Sequence, residues 1–275
     1  MPVANRFLLA WRRHWPHYLA EALGLSFFVG CSGLLTMLVE HPASPVHQAL
    51  PSSALLRRAV LGLGVGLVLV LIVYSPWGKR SGAHINPAVT LAFWQLGKIR
   101  AADAGWYVLA QVAGALGTAQ LLKYGFGPLY SHPAVNYTVN QPATPTLSGT
   151  AVAFAAEFAI SFLMMMTALV ALHSARLKDW TGWLLGGLLA AFVCFEAPLS
   201  GMSMNPARTL GTAVAAGSYH GLWLYWLAPG LAMWLATALF RRIHFGVPRA
   251  GSAANGAAQK SAAVEPPLYP TDQPE

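Results

Sequence analysis

Six long apolar runs, separated by short polar or basic connections, set the rhythm of the chain: residues 18–39, 59–74, 104–124, 150–172, 183–199 and 221–240. A helix needs about 20 predominantly apolar residues to cross a bilayer, and each run is of that order. Two further apolar segments, 88–95 and 207–215, are helix-compatible but too short to cross alone. They follow the second and fifth runs. The pattern therefore predicts three spans with a half-span after the second, and then the same arrangement once more. The first run is longer than the apolar core of a secretory signal, and no small-residue cleavage site follows it. It is read as a retained span.

The two short segments open on matching motifs. Ser81-Gly82-Ala83-His84-Ile85-Asn86-Pro87-Ala88 introduces the first, and Ser200-Gly201-Met202-Ser203-Met204-Asn205-Pro206-Ala207 introduces the second. Each reads Ser-Gly, three residues, Asn-Pro-Ala. Proline suits the first helical position, where its missing N–H costs nothing. Weaker matches recur in the same order along the halves. Leu19-Ala20-Glu21-Ala22 pairs with Ala155-Ala156-Glu157-Phe158, Gly62-x-x-x-Gly66 with Gly182-x-x-x-Gly186, and Tyr107-Val108-Leu109-Ala110 with Tyr225-Trp226-Leu227-Ala228. An odd number of spans per half makes the repeat inverted, and irregular backbone within a membrane is tolerated where it lines a cavity. The paired glycines, with Ala110, Gly114 and Gly117 of the third run, predict close approach of helix backbones.

Composition agrees. The 275 residues are 56% hydrophobic and 9% charged, whereas soluble domains are about 25% charged. The net charge of +8 does not point to nucleic acid, because the basic residues lie in the connections and form no amphipathic or aromatic-interleaved surface. With both termini in the cytoplasm, thirteen Lys and Arg fall inside. Four, Arg57, Arg58, Lys123 and Arg208, fall outside or near the outer edge, a positive-inside bias that Arg57 and Arg58 oppose locally. Cys31 and Cys194 both lie in apolar runs, so no disulfide framework, metal site or other cofactor is expected. The predicted organisation is a cytoplasmic segment 1–17, a first repeat 18–124, an outer connection 125–149 free of Lys, Arg, Asp and Glu, a second repeat 150–242, and a disordered cytoplasmic tail 243–275. The expected location is a cell membrane, a bacterial inner membrane, with several passes.

The chemistry centres on Asn86 and Asn205. A helix N-terminus presents unpaired N–H groups and a partial positive charge. If the half-helices meet end to end, both positive ends converge and the two side-chain amides offer donors to a passing solute. The plainer alternative is that each Asn only caps its helix. Arg208, beside the second motif, is a functional candidate because a membrane arginine is costly; snorkelling to headgroups is its alternative.

The motif pair followed by Arg208, with Ala20-Glu21, Gln111, Ser81-Gly82-Ala83-His84 and Arg208-Thr209, resembles the aquaporin or major intrinsic protein family over residues 15–242. The resemblance implies an all-α membrane protein of six tilted transmembrane helices plus two half-helices, a pore in each subunit and a homotetramer. It implies a passive channel for water and other small uncharged solutes that excludes ions and protons, and no enzyme. Asn86, Pro87, Ala88, Asn205, Pro206 and Ala207 would form the central constriction, and Arg208 the fixed cation of the outer filter. Glu21 and Glu157 would accept backbone N–H groups behind the two pore loops. His84 is either pore-lining or a packed, satisfied side chain.

Counting without gaps, the remaining filter positions fall at Gly66 (Val65 if the loop slips), Val193 and Met202. Water channels of the family carry Phe and His at the first two. Thr209 is not the Asp of the glycerol branch, and Tyr225-Trp226 resembles the water branch. The filter reads as wider and less polar than a strict water filter, so a facilitator of glycerol, urea or similar solutes is the first alternative. An ion-coupled transporter, which would need a titratable group at the midplane, is a second. Gly201-Met202-Ser203-Met204-Asn205 lacks the second Gly of a nucleophile elbow. Glu196, one helical turn beyond Val193, either reaches the vestibule and partners Arg208 or ties the rim loop.

Overall fold

The computed structural model describes residues 3–50 and 52–244, and every regular element among them is helical. Eight longer helices run α1 Val3–Glu40, α2 Ala54–Tyr74, α3 Pro87–Gln95, α4 Ala101–Phe126, α5 Leu147–Leu172, α6 Thr181–Phe195, α7 Pro206–Ala216 and α8 Leu224–His244. By length and apolarity alone, three of them could cross a membrane unaided: α1 from Asn5, α2 and α5. The segment 1–17 is not separate from the first run. From Val3 it continues as the start of α1, because its aromatic residues have somewhere to pack. Trp11 and Tyr18 sit against Trp106 of α4, and the Trp106 indole N–H donates to Phe7 O at 3.0 Å. Asp103, in the first turn of α4, faces His14 Nδ1 at 2.7 Å and accepts the Tyr18 hydroxyl at 2.6 Å. An acid is favourable at that end of a helix. Of the tail 243–275, Ile243 and His244 close α8, and the rest lies outside the described residues.

Small residues bring the helices together. The two Gly-x-x-x-Gly pairs pack on each other across α2 and α6. A Cβ at Gly62 would stand 2.6 Å from Ala190 O, one at Gly186 would stand 2.7 Å from Gly66 O, and one at Gly66 would collide with Gly186 O. Nothing larger than hydrogen fits this crossing. Gly114 lies in the same way against Ala22 O, where α1 meets α4. Gly117 does not share that role, since nothing lies within 4 Å of a Cβ there.

The half-helices interlock with the opposite repeat. The first, α3, packs on α8, and the second, α7, packs on α4. Their C-terminal carbonyls are met by cations from those same partners. Arg241 of α8 donates to Gln95 O at 3.0 Å, and Lys123 of α4 donates to Ala215 O at 2.8 Å. A cation is favourable at a helix C-terminus. Lys123 and Arg241 stand at the same place relative to Tyr107 and Tyr225, so the repeat extends to these caps.

The fifth apolar run breaks before its predicted end. α6 stops at Phe195 and a separate turn, Ala197–Ser200, follows. Pro198 has no N–H for Cys194 O, four residues back. Arg58 supplies the missing donor, with Nε 3.0 Å from that carbonyl, while Arg57 pairs with Glu40 at 3.1 Å. Both arginines that oppose the charge bias are thus tied down locally. The connection 125–149 is irregular as expected, with one turn at Pro128–Ser131 and another at Asn136–Thr138.

Replacing Gly66 by Leu is expected to force α2 from α6 and to cost about 1–3 kcal/mol or more. Gly117→Ala, in open space, should leave stability unchanged or slightly raised. Thermal unfolding of both variants in detergent checks the contrast; equal midpoints would show that the crossing does not need its glycines.

Candidate functional site

Asn86 and Asn205 are both buried, 8% and 6% exposed, and they face each other. Each is the N-cap of its half-helix. Asn86 Oδ1 accepts Ala88 N–H at 2.8 Å, and Asn205 Oδ1 accepts the N–H groups of Ala207 and Arg208 at 3.1 and 3.2 Å. Their amide nitrogens then cross over. Asn86 Nδ2 donates to Met204 O at 2.7 Å, and Asn205 Nδ2 donates to Ile85 O at 2.7 Å. Each side chain caps its own helix with its oxygen and clasps the residue before the other asparagine with its nitrogen. One hydrogen of each NH2 is engaged in the clasp and the second remains. Capping and donation, which the sequence leaves as alternatives, occur together.

The loops before the two asparagines have the same unusual backbone. Gly82, Ala83 and Ile85 have φ of 83°, 48° and 40°, and Gly201, Met202 and Met204 have φ of 79°, 50° and 53°. A left-handed conformation costs a non-glycine residue roughly 1–2 kcal/mol. Buried carboxylates hold it. Glu21 accepts the N–H groups of His84 and Ile85 at 3.0 and 2.5 Å, and Glu157 accepts those of Ser203 and Met204 at 2.6 and 2.8 Å. A hydrogen bond to a charged acceptor is worth about 1.5–3 kcal/mol, so at Ile85 and Met204 the carboxylate bond matches or exceeds the strain. With the N–H groups drawn back to the carboxylates, the loop carbonyls are left for other partners.

A second layer repeats as well. Ser81 Oγ accepts Ala83 N–H at 3.2 Å, and Ser200 Oγ accepts Met202 N–H at 3.0 Å. Tyr107 and Tyr225 donate to Ser81 O and Ser200 O at 2.8 and 2.5 Å. Thr90 and Thr209 stand at matching places, bonded to His84 Nδ1 at 3.2 Å and to Ser203 Oγ respectively. His84 is 3% exposed and stacks on Phe93 with ring centroids 4.6 Å apart. Its Nε2 is buried without a hydrogen-bond partner among the described residues, so the side chain is packed but not satisfied.

Gln111 donates to Glu21 Oε2 at 2.8 Å and to Thr90 Oγ1 at 3.0 Å. The equivalent place on α8 is Pro229, which has no donor. Around the second loop the partner comes instead from the outer connection. Asn140 Nδ2 donates to Gly201 O at 2.6 Å and to Met202 O at 3.2 Å, and its Oδ1 accepts from Arg208 Nη1 at 2.7 Å and Thr209 Oγ1 at 3.1 Å. Arg208 Nη1 also donates to Met202 O at 3.1 Å. Arg208 is therefore held by the protein and does not snorkel. No spacing or motif in the sequence marks Asn140, which lies in an irregular connection far from both repeats' motifs.

The remaining filter candidates divide. Val193 and Met202 are buried in one cluster with Val65. At Gly66 the side of the Cα where a side chain would stand is closed by Gly186. The neighbouring Val65, the alternative if the loop slips, has a side chain in the cluster. Glu196 does not partner Arg208. Its Oε1 bonds Ser200 Oγ at 2.5 Å, and among the described residues no ion pair joins it to the arginine. Among the described residues, no group of three His, Cys, Asp or Glu could hold a metal ion.

The family model described as Major intrinsic protein matches residues 9–240. Aquaporin NIP1-1 of Arabidopsis thaliana is 33% identical over 216 residues, covering 78% of this chain and 68% of its own. Aquaporin NIP1-2 of Oryza sativa is 39% identical over 216 residues, covering 77% and 66%, so this chain spans about two thirds of that relative. Nodulin-26 of Glycine max is 34% identical, covering 76% and 71%. Among solved structures, the aquaglyceroporin of Plasmodium falciparum superposes with a TM-score of 0.69 at 17% identity, covering 83% of this chain and 96% of its own. Paired half-helices, reciprocal asparagines and a match across nearly the whole chain agree: the protein belongs to the major intrinsic protein family, with the aquaporin fold.

Proposed function

We infer that the chain is a passive channel for water and other small uncharged solutes, and not an enzyme. The observation that carries this reading is the reciprocal clasp of Asn86 and Asn205. It sets two helix N-termini against each other in the interior, where their partial positive charges oppose a cation. The second hydrogen of each amide is free to meet an acceptor oxygen. A water molecule whose lone pairs take both amides cannot accept from the next water, which interrupts the chain along which a proton would hop. Family membership supports the class of activity; the solute is chosen by the filter.

For the filter we propose Val65, Val193, Met202 and Arg208, with Val65 in place of Gly66. Three apolar side chains and one guanidinium leave a conduit less polar than a strict water filter, which favours small neutral solutes besides water. Asn140 fixes the guanidinium. We further propose six spans and two half-helices, with α4, α6 and α8 crossing through their packing on neighbours. The domain division follows, except that residues 3–17 belong to the first helix. The large apolar side chains exposed on α2, including Leu63, Leu67 and Leu71, suit lipid or the partner subunits of a homotetramer. The protein is a multi-pass membrane protein. The charge bias favours both termini in the cytoplasm; the plant relatives give no support to a bacterial inner membrane.

Arg208→Val is expected to keep neutral flux and to admit protons or small cations. Stopped-flow swelling and conductance of proteoliposomes check both; lost neutral flux with no leak would overturn the role given to Arg208. Swelling in water, glycerol and urea in parallel identifies the solute. Asn140→Leu should remove the donor to Gly201 O and the Oδ1 acceptor shared by Arg208 and Thr209, leaving the guanidinium only its bond to Met202 O among the described residues. We expect a destabilisation of about 1–3 kcal/mol by thermal unfolding, accompanied by an ion leak smaller than that of Arg208→Val.

A further inference from the structure

Ser200 Oγ lies 2.8 Å from Glu157 Oε1 and 2.5 Å from Glu196 Oε1, and it accepts the N–H of Met202 at 3.0 Å. A hydroxyl has one proton and two lone pairs. Two carboxyl oxygens bonded to one hydroxyl need two protons between the three groups, and the serine brings one. Glu157 is the acceptor of the pair, because its oxygens already take the N–H groups of Ser203 and Met204. Glu196 is in the opposite position. It is 7% exposed, and its Oε2 is buried without a partner among the described residues. As an anion it would be left with almost nothing to solvate it.

We propose that Glu196 is a protonated carboxylic acid donating to Ser200 Oγ, that Ser200 donates in turn to the Glu157 carboxylate, and that loss of the Glu196 proton loosens the outer pore loop and lowers neutral flux. The two lone pairs of Ser200 Oγ are then filled by Glu196 O–H and Met202 N–H, and its proton goes to Glu157. Every contact has a donor and an acceptor. Charge closes as well. Glu157 from α5 and Arg208 from α7 balance each other, Tyr225 from α8 enters as a neutral hydroxyl on Ser200 O, and Arg58 from α2, whose guanidinium donates to Cys194 O, forms no ion pair with Glu196 among the described residues. Ionising Glu196 adds an uncompensated negative charge next to Glu157 and puts two acceptors at one hydroxyl. Ser200 immediately precedes Gly201 and Met202, whose carbonyls hold Asn140 and Arg208. Loosening Ser200 therefore reaches the filter.

Symmetry sharpens the assignment. In the first repeat, Glu21 receives the Gln111 amide directly, and the place of Glu196 is taken by Trp77, which is 54% exposed. In both repeats the serine bonds the carboxylate, Ser81 to Glu21 and Ser200 to Glu157; in the second, Pro229 replaces Gln111 and the acid Glu196 stands behind the serine. The proton relay belongs to the outer half alone.

The proposal rests on the channel reading. The test uses the full chain in proteoliposomes, with water flux followed from mildly acid to mildly alkaline pH for the wild type and Glu196→Gln. The Gln amide keeps a donor for Ser200 and cannot ionise. Wild-type flux should fall several-fold as pH rises, while the variant stays near the wild-type acid level throughout. Infrared spectra of the detergent-solubilised proteins at neutral pH should show a carboxylic-acid C=O band in the wild type that Glu196→Gln lacks. A flat or rising wild-type profile, a variant that keeps the wild-type profile, or no difference in that band would each overturn the proposal. A wild type that conducts at no pH would instead remove the channel reading, and the band would still decide whether Glu196 carries its proton.

Discussion

The structure depends on two crossed hydrogen bonds at its centre, from Asn86 to Met204 O and from Asn205 to Ile85 O. α3 has nine residues and α7 has eleven, and helices below about 12–15 residues are marginal by themselves in water. Neither contains enough chain to fix its own position. Each is held at three points by the rest of the molecule: at its N-terminus by the opposite asparagine, along its side by a helix of the other repeat, and at its C-terminus by Lys123 or Arg241. Polar groups alone could not hold this arrangement in lipid unless every donor found an acceptor, and in these loops nearly every one does.

The buried carboxylates carry the strain that the crossing demands. Two left-handed non-glycine residues per loop are costly, and an irregular loop inside the molecule must also satisfy its N–H groups. Glu21 and Glu157 answer both demands at Ile85 and Met204, while Ser81 and Ser200 take the N–H groups of Ala83 and Met202. A carboxylate can accept several bonds at once, and hydrogen bonds to an ionised acceptor are the stronger kind. An uncharged Gln at either place would put an NH2 donor where one backbone N–H now points. The acids are therefore best understood as parts of the loop backbone that come from α1 and α5.

Much of this was legible in the sequence because repetition multiplies weak signals. One Asn-Pro-Ala segment is only a helix start; two, with matched Glu, Gly-x-x-x-Gly and Tyr positions, specify an inverted pair. The close approach at Gly62 and Gly186 followed from that, while the roles of Glu21 and Glu157 came with the family resemblance. What escaped has physical reasons. Gly66 was reached by counting back from Asn86 without gaps, but the side on which a side chain sits is set by helix rotation, and there Gly186 closes it. His84 has the same sequence spacing whether it lines a pore or packs on Phe93. Asn140 lies in an irregular connection, whose path is decided by tertiary contacts that leave no period. The break after Phe195 was signalled by Pro198, yet the donor that compensates it, Arg58, comes from a helix more than a hundred residues earlier, and its direction against the charge bias was the only trace.

Where the two halves match and where they differ is itself informative. The asparagines, carboxylates, serines, tyrosines, threonines and cationic caps are duplicated because both loops must solve the same geometric problem. Symmetry fails at four residues around the second loop: Arg208 and Asn140 appear, Pro229 replaces Gln111, and Glu196 stands where Trp77 does in the first half. A twofold arrangement of helix ends opposes cations equally from either direction, but it cannot sort neutral solutes by size or polarity. Sorting needs a constriction with fixed donors, and a fixed cation inside a membrane needs its own counter-charge and hydrogen-bond acceptors. Glu157 already serves the loop and supplies the charge; Asn140 and the Met202 carbonyl supply the acceptors. Of the asymmetric residues, Arg208 and Asn140 are thus the pair that keeps one guanidinium buried and pointed in one direction.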